Sequence, residues 1–318
     1  MRLRFLLPAL ALVYLVIPAL LGGNNYVMSL LVAGFVIAGV ALAWALLANL
    51  GGMVSFGHSA FFGVGAYLSA LLCINHQLPV AAGILLGGLG AAVASIAMLP
   101  ALRLSGPYFA LALLAYAGIF KILAMELKGI TGGAAGVTNI PALPTVMGFD
   151  FSSKLGVYLV IVTIVLLFTA VYHRIRISHF GLALRAMHDS EDATRVVGVN
   201  STLLKAMMLL VSAFMTGMVG ALNAHYINFI DPDYAFDVGW TLLPVVAVVF
   251  GGYRSLTGPV VGAVGIFMLD QLVFKALIGT GHQIMLGAVL AVMVLFSPDG
   301  VVPLIADRWK RVRRHAEA

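Results

Sequence analysis

The sequence is poor in charge: only 9% of its 318 residues are Asp, Glu, Lys or Arg, whereas 62% are hydrophobic. A soluble domain carries about a quarter of charged residues. This deficit excludes a soluble globular core, and together with a mean hydropathy of +1.08 it predicts an all-α, polytopic integral membrane protein. Glycine is abundant at 35 residues, which fits helices that approach one another closely or break inside a membrane.

Cysteine is nearly absent. The single residue, Cys73, excludes an internal disulfide framework and a cysteine-based metal cluster. The chain also lacks a G-x-x-x-x-G-K-[ST] phosphate-binding loop, since no lysine follows a glycine, and it lacks an H-E-x-x-H motif. No set of nucleophile, base or metal ligands converges in the sequence. We therefore predict that the protein is not an enzyme and carries no cofactor.

The basic residues are few but concentrated. Arg2 and Arg4 stand at the start, five bases fall in the segment His173–Lys205, and more cluster in the tail 307–318. We call His173–Lys205 the polar segment. A net charge of +6 would suggest nucleic acid as the partner of a soluble protein, but in a membrane protein basic residues mark the cytoplasmic side. We expect a multi-pass protein of a bacterial inner membrane, with both termini and the polar segment in the cytoplasm.

Ten apolar runs are candidates for membrane spans. In order they are Met1–Leu21, Tyr26–Leu50, Gly51–Cys73, Leu78–Pro100, Pro107–Leu127, Lys154–Tyr172, Ala206–Tyr226, Trp240–Phe250, Val260–Leu277 and His282–Phe296. With six crossings before the polar segment and four after it, both termini lie on the same side of the membrane as the polar segment. The number of crossings is eight instead of ten if the two short segments re-enter the membrane without crossing it. Lys128–Ser153 and Ile227–Gly239, which carry Gly, Pro and Asp, are predicted to be external loops.

Two of these spans are short and interrupted by glycine at matching places, Gly51–Gly65 in the first half and Phe250–Gly262 in the second. Broken helices at corresponding positions of two halves often mark a transport path, because unwound backbone in a membrane needs a cavity or surrounding protein. Each of these features also has an alternative interpretation. The glycines could serve close helix packing, His58 could be a hydrogen-bonded packing residue, and Asp270, the deepest acid, could form an ion pair or hydrogen bond between helices. The path hypothesis names Gly57, His58, Ser59, Gly251, Gly252 and Asp270.

The polar segment predicts a short helix. Asp189 or Ser190 can cap its start, and Gly198 can close its end in a left-handed conformation. Glu191 and Asp192 suit the first turn of a helix. One apolar face is formed by Ala193, Val196 and Val197, which are spaced three and four apart. Because two helical turns are not stable alone, we interpret this helix as a knob that is presented to a partner.

The same stretch carries a resemblance. Asp192-Ala193-Thr194, followed by Gly198, is similar to the E-A-A-x-x-x-G motif of importer permeases of the ATP-binding cassette (ABC) class, although its first and third positions are substituted and no I-x-L-P follows. The longer runs are more specific, namely GGMVSFGHSAFFGVGAY, SHFGLALRAMHDSEDATRVVGVN, LVSAFMTGMVGALNAHYINFIDP and VVFGGYRSLTGPVVGA. Together these runs, which cover roughly Gly51 to Ala263, resemble the LivM-type permeases of branched-chain amino acid importers, in the hydrophobic amino acid uptake family.

This resemblance implies a transmembrane permease domain over 1–306, with a cytoplasmic coupling loop at 173–205 and a basic cytoplasmic tail at 307–318. The implied partners are a second, LivH-like permease, two cytoplasmic ABC ATPases, an external solute-binding protein and membrane lipid, but no nucleic acid. ATP hydrolysis would take place on the ATPases. The implied ATPase-coupling residues are Glu191, Asp192, Ala193, Thr194, Arg195, Val196, Val197 and Gly198.

Other functions stay open from the sequence. Related permeases for urea or short amides look much alike, so the solute does not follow from the resemblance. A proton-coupled secondary transporter would use an intramembrane acid such as Asp270, and its uptake would collapse with an uncoupler while ATP remains. A passive channel would need neither ATP nor a gradient.

Overall fold

The computed structural model describes residues 12–253, 255–296 and 300–304. Within this part of the chain, eight helical segments are long and apolar enough to cross a membrane. They correspond in order to the second to the ninth predicted spans, so the prediction of an all-α polytopic protein is confirmed. The first predicted span, Met1–Leu21, lies mostly outside the described residues, and so does the tail 307–318.

Most of the helices follow one another with short connections, and two longer loops separate α4 from α5 and α8 from α9. The labelled helices are α1 (Asn25–Ala45), α2 (His58–Asn75), α3 (Val80–Ser95), α4 (Pro107–Glu126), α5 (Lys154–Ile177), α6 (His179–Asp189), α7 (Glu191–Val196), α8 (Ser201–Ile227), α9 (Gly239–Gly251), α10 (Gly258–Leu269) and α11 (His282–Phe296). Three continue beyond these bounds: α1 as a π-helix at Leu46–Leu50, α3 as a 3₁₀-helix at Ile96–Arg103, and α10 as a π-helix at Asp270–Phe274 and a short α-helix at Lys275–Ile278.

Shorter elements fill the connections and the ends. They are a π-helix at Leu12–Val16, α-turns at Ile17–Leu21, Lys128–Thr131 and Pro232–Ala235, 3₁₀ turns at Gly133–Ala135 and Gly279–Gly281, and a hairpin of β1 (Thr145–Val146) and β2 (Phe149–Asp150). The hairpin pairs Thr145 with Asp150 and Val146 with Phe149.

The core is built around α1, which is buried over almost its whole length and packs against α5, α8, α9 and α10. Its start is fixed by Asn24, whose side-chain oxygen accepts hydrogen bonds from the N–H groups of Tyr26 (3.1 Å) and Val27 (3.2 Å). A second group consists of α2, α3 and α8, which approach closely because Gly65 and Gly217 leave room for backbone contact. The two groups share α8 and enclose a mainly apolar interior that also holds a few buried polar side chains such as His58 and Ser212.

One end of the molecule holds the polar segment, and we call it the polar end. The connection Leu104–Gly106 borders the same cavity as the polar segment, and Tyr253 borders a second cavity with Arg185. The chain interruptions after α1 and after α9 therefore also lie at this end. This arrangement brings sequence regions that are far apart in the chain to one site.

The two predicted external loops meet at the opposite end. Val137 and Ile230 exchange backbone hydrogen bonds of 2.8 and 3.1 Å, and the amide of Asn228 donates to the carbonyl of Ile140 at 2.9 Å. Lys121 at the end of α4 forms a 2.7 Å ion pair with Asp233. The loops at this end are thus joined into one structure.

Candidate functional site

The polar segment is more ordered than its sequence suggested. After α5 ends at Ile177, the amphipathic helix α6 begins with Ser178, whose side chain accepts a hydrogen bond from the N–H of Gly181 at 3.2 Å. Leu184 and Met187 on α6 are buried, three residues apart. The helix is therefore held on the membrane domain by its apolar face.

Both ends of α7 are capped as predicted. The Ser190 hydroxyl accepts from the N–H of Ala193 at 3.3 Å, which satisfies a donor of the first turn. At the other end Gly198 has a φ of +87°, its N–H donates to Arg195 at 2.9 Å, and the N–H of Val199 donates to Thr194 at 3.3 Å. This pair of bonds is the Schellman arrangement, so the helix has a defined start and a defined end.

Charge pairing holds α7 on α8. Each carboxylate oxygen of Glu191 accepts from one base at 2.7 Å, one from Arg195 and the other from Lys205. Arg195 also donates to the hydroxyl of Ser201 at 2.8 Å. Partial burial works to raise the pKa of the Glu191 carboxyl, but the bonds from Lys205 and Ser201 and the two positive charges outweigh it, so the pKa lies below its ordinary value.

The predicted apolar face of α7 points away from the rest of the protein. Val196 is 88% exposed and Val197 is 76% exposed, and Ala193 is exposed as well. Thr194, on the opposite side, is buried, and its hydroxyl donates to the carbonyl of Ser190 at 2.8 Å. Two valines so exposed on a fixed two-turn helix form a small apolar protrusion at the polar end.

The first interruption of the helices runs from Gly52 to Gly57, between the π-turn of α1 and the start of α2. Its backbone polar groups are satisfied by side chains of other helices, as a membrane interior requires. The indole of Trp44 donates to the carbonyl of Ser55 at 2.8 Å. The hydroxyl of Thr241 on α9 accepts from the N–H of Ser59 at 3.0 Å and lies 3.4 Å from the carbonyl of Phe56. Thr241 thus caps α2 from the other half of the chain.

His58 is fully buried at the first residue of α2. The hydroxyl of Ser212 donates to the carbonyl of Ala43 at 2.9 Å, and Nε2 of His58 lies 2.9 Å from the same hydroxyl. Since that hydroxyl uses its hydrogen on Ala43, Nε2 must carry the proton and donate. The ring also stands edge-on to Phe61. Nδ1 of the ring is buried without a hydrogen-bond partner, so the packing contacts satisfy only one of the two ring nitrogens of His58.

The second interruption follows α9, where Gly252 has a φ of +108° and a ψ of +102°, a region open to glycine. Gly251 packs directly on the backbone of Gly258 and Gly262. The side-chain amide of Asn49 donates to the carbonyl of Tyr253 at 2.8 Å and to the hydroxyl of Tyr172 at 2.7 Å. Asn49 therefore ties α1, α5 and the second interruption together.

Two cavities open at the polar end, with volumes of about 550 and about 520 Å³. Gly52, Val54, His188 and Asp189 border both of them. We call the one that also touches Tyr253 the inner cavity. The end of α6 thus stands against the first interruption, where the two cavities meet.

The residues predicted for a transport path are not all brought together. Within the described part of the chain, Gly57, His58, Ser59, Gly251 and Gly252 lie outside the linings of both cavities. Asp270, 5% exposed, accepts from the side-chain amide of Gln271 at 3.2 Å. Twelve residues of helix place it about 18 Å from Gly258, so α10 carries it away from the interruption.

Several residues that organise the site were not predicted from the sequence, namely Trp44, Asn49, Gly52, Thr241 and the α6 residues Arg185 and His188. Asp189 was predicted only as a possible cap of α7, not as a residue that borders the cavities. The three-residue spacing of the buried α6 positions was a usable signal for that helix. The described residues contain no group of three or more His, Cys, Asp or Glu side chains that could hold a metal ion.

Comparisons with known proteins bear on this arrangement. The family described as "Branched-chain amino acid transport system / permease component" matches residues 26–297. The high-affinity branched-chain amino acid transport system permease protein LivM of Salmonella typhimurium is 26% identical over 96% of this chain and 76% of its own length. LivM of Escherichia coli is 27% identical over 87% of this chain and 69% of its own. The corresponding LivH of Escherichia coli is 24% identical over 83% of this chain and 90% of its own. No solved structure matches significantly.

Proposed function

The chain belongs to the family of branched-chain amino acid transport system permease components, and from this membership we propose that it is the transmembrane permease subunit of an ATP-binding cassette importer. The solutes are branched-chain or other hydrophobic amino acids. The partners are a LivH-like second permease, two cytoplasmic ATPases and an external solute-binding protein. The protein lies in the bacterial inner membrane, with the polar end and both termini in the cytoplasm.

The observation that carries this proposal is the protrusion of α7. A capped, charge-anchored helix that exposes Val196 and Val197 suits insertion into a groove of a cytoplasmic partner. The sequence has no phosphate-binding loop, so transport driven by ATP would take its energy from such a partner. Glu191, Arg195 and Gly198 hold the shape of the helix, whereas Ala193, Val196 and Val197 make the contact.

Movement of α7 has a direct route to the membrane domain. Only Ser190 separates α6 from α7, and His188 near the end of α6 lies against Gly52 in the first interruption. When the ATPases close on ATP, the displaced α7 pulls α6, and α6 shifts the interruption. The translocation path runs beside the two interruptions, and Gly57, His58, Ser59, Gly251 and Gly252 form the packed wall of that path.

The contact of α7 with an ATPase can supply only a modest binding free energy. Burial of apolar surface contributes about 25 cal/mol per Å², and one alanine and two valines offer only a few kcal/mol in all on that scale. An unpaired charge at the centre of this contact would cost more than the lost burial, because it would be desolvated without a partner. A charged substitution in this contact is therefore a more sensitive test than a truncation.

The test is Ala193→Asp, compared with Ala134→Asp in the loop at the opposite end, where the alanine is also exposed. Both permease variants are co-expressed with the ATPases and the second permease and reconstituted into vesicles. We expect Ala193→Asp to lose ATPase co-purification and solute-stimulated ATP hydrolysis while the two permeases still assemble, and Ala134→Asp to retain all three. Wild-type coupling in Ala193→Asp would refute the docking role. Uptake by the wild type that needs a proton gradient but no ATP would instead indicate secondary transport, with Asp270 as the coupling acid.

A further inference from the structure

We infer that the inner cavity binds a zwitterionic amino acid, one with a free ammonium group, a free carboxylate and an apolar side chain. The solute would occupy this site after it has crossed the membrane and before it is released. This inference rests on the proposed function. The cavity of about 520 Å³ falls in the size range of small-molecule sites, and it lies between the two helix interruptions. Gly52 and Val54 border it from the first interruption, and Tyr253 from the second.

Part of the lining of the inner cavity is apolar. Trp44 and Ala45 are buried side chains of α1, and Ala48 follows one turn later. Val248 and Val249 of α9 face them. Small and branched aliphatic groups beside an indole form a surface on which a branched hydrocarbon side chain can pack, and removal of that hydrocarbon from water favours binding.

Two side chains of opposite charge also line the inner cavity. Arg185 and Asp189 border it and stand four residues apart on α6, so they lie on one face of that helix. A guanidinium binds a carboxylate through two parallel hydrogen bonds, and a carboxylate accepts from an ammonium group. In the structure Arg185 donates to the carbonyls of Gly181 at 3.3 Å and Arg176 at 3.4 Å. It would turn from these long bonds to receive the carboxylate of an amino acid whose side chain enters the apolar part, and Asp189 would accept from the ammonium group.

The wall between these parts is fixed by Asn49. Its amide nitrogen donates to the carbonyl of Tyr253 and to the hydroxyl of Tyr172, which holds α1 and the second interruption in place. The charged pair, in contrast, belongs to α6, which continues through Ser190 into α7. Displacement of α7 by the ATPases would thus carry the charges away from a stationary apolar pocket. Such a separation would lower the affinity of the site and release the solute.

The first part of the test uses Ala48→Phe, in which the larger side chain occupies the apolar part of the inner cavity. Its matched control is Ala115→Phe, on an exposed position of α4. Binding of radiolabelled leucine is measured at equilibrium on the assembled complex, without ATP and without the binding protein. We expect Ala48→Phe to weaken binding about tenfold or more and Ala115→Phe to bind as the wild type does.

The second arm tests the charges. The wild type should bind leucine about tenfold more tightly than leucine amide, which lacks the carboxylate, because a hydrogen bond to a charged group is stronger than one to a neutral group. Arg185→Gln should bind both ligands alike. Asp189→Asn should remove the preference for leucine over 4-methylpentanoate, which lacks the ammonium group.

Two results would overturn the inference: wild-type leucine binding in Ala48→Phe, or a preference for leucine over its amide that persists in Arg185→Gln. Undetectable leucine binding to the wild-type complex would overturn it as well. ATP-dependent uptake by the wild type tests the proposed function separately. If uptake is present while any of these results holds, the importer assignment stands and only the position of the site is wrong.

Discussion

The imidazole ring of His188 lies directly on Gly52, so that a methyl group added to this glycine would stand 2.7 Å from Cδ2 of the ring. Gly52 also has a φ of +65°, where a side chain is strained. The polar segment and the first interruption are therefore in van der Waals contact, at a position that tolerates no added atom.

Gly52→Ala should reduce transport strongly, because the methyl group displaces His188 and strains the backbone at once. Gly51→Ala is the matched control, since its added methyl group would meet only the flexible end of Met53 at 3.0 Å. His188→Ala combined with Gly52→Ala relieves the clash but not the strain, so it should recover part of the activity. ATP-dependent uptake and ATPase co-purification are measured together, and equal uptake by Gly52→Ala and Gly51→Ala would contradict this prediction.

Thr241→Val should destabilise the protein by about 1 to 3 kcal/mol, because it leaves the buried N–H of Ser59 without its acceptor while keeping the shape of the side chain. Thr241→Ser keeps the hydroxyl and should stay close to the wild type. The unfolding temperature of the purified protein in detergent checks both variants. Equal unfolding temperatures for Thr241→Val and the wild type would show that the bond to Ser59 contributes little.

Gly198→Val should impair coupling through the backbone alone. A side chain at this position would meet nothing within 4 Å, but the φ of +87° strains any β-branched residue. Asparagine tolerates left-handed conformations better, so Gly198→Asn should retain more solute-stimulated ATP hydrolysis than Gly198→Val. If the two variants are equally impaired, the conformation of Gly198 is not what matters.

The order of α7 should depend on pH through Glu191. Its carboxyl has a lowered pKa in the folded protein, so its pairing contributes fully above the ordinary pKa of 4.5 and is lost as the pH falls through the lowered value. Hydrogen exchange of the α7 amides, corrected for the intrinsic effect of pH, should therefore rise relative to that of α8 at acid pH. Glu191→Gln should show the faster exchange at neutral pH and no further step on acidification.

Labelling of single cysteines checks the sidedness in a Cys73→Ser background. Val196→Cys at the polar end should react with an impermeant thiol reagent only from the cytoplasm. Met147→Cys, at the fully exposed tip of the hairpin, should react only from outside. Reaction of both from the same side would contradict the orientation.

Much of the fold follows from local sequence. Apolar runs predicted the eight long helices in order, and Ser190 and Gly198 predicted both ends of α7. The contacts of the interruptions did not follow, because they join residues far apart: Ser59 and Thr241 are 182 positions apart in the chain. An isolated threonine in an apolar run carries no sign that it caps another helix. Likewise Gly57 and Gly251 suggested a transport path from the sequence. In the structure the space beside Gly57 is occupied by Leu113, and the space beside Gly251 by Gly258.

The distant partners of the first interruption have a consequence for biogenesis. Ser55–Ser59 leaves the ribosome long before Ser212 and Thr241 exist. At about 5 to 20 residues per second, synthesis of the intervening chain takes about 10 to 40 s. During that time the N–H of Ser59 and the carbonyl of Phe56, which meet Thr241 in the finished protein, must find hydrogen bonds in water or in the insertion machinery, whereas the carbonyl of Ser55 already has Trp44. The first half of this protein can settle into lipid only after the second half has been made.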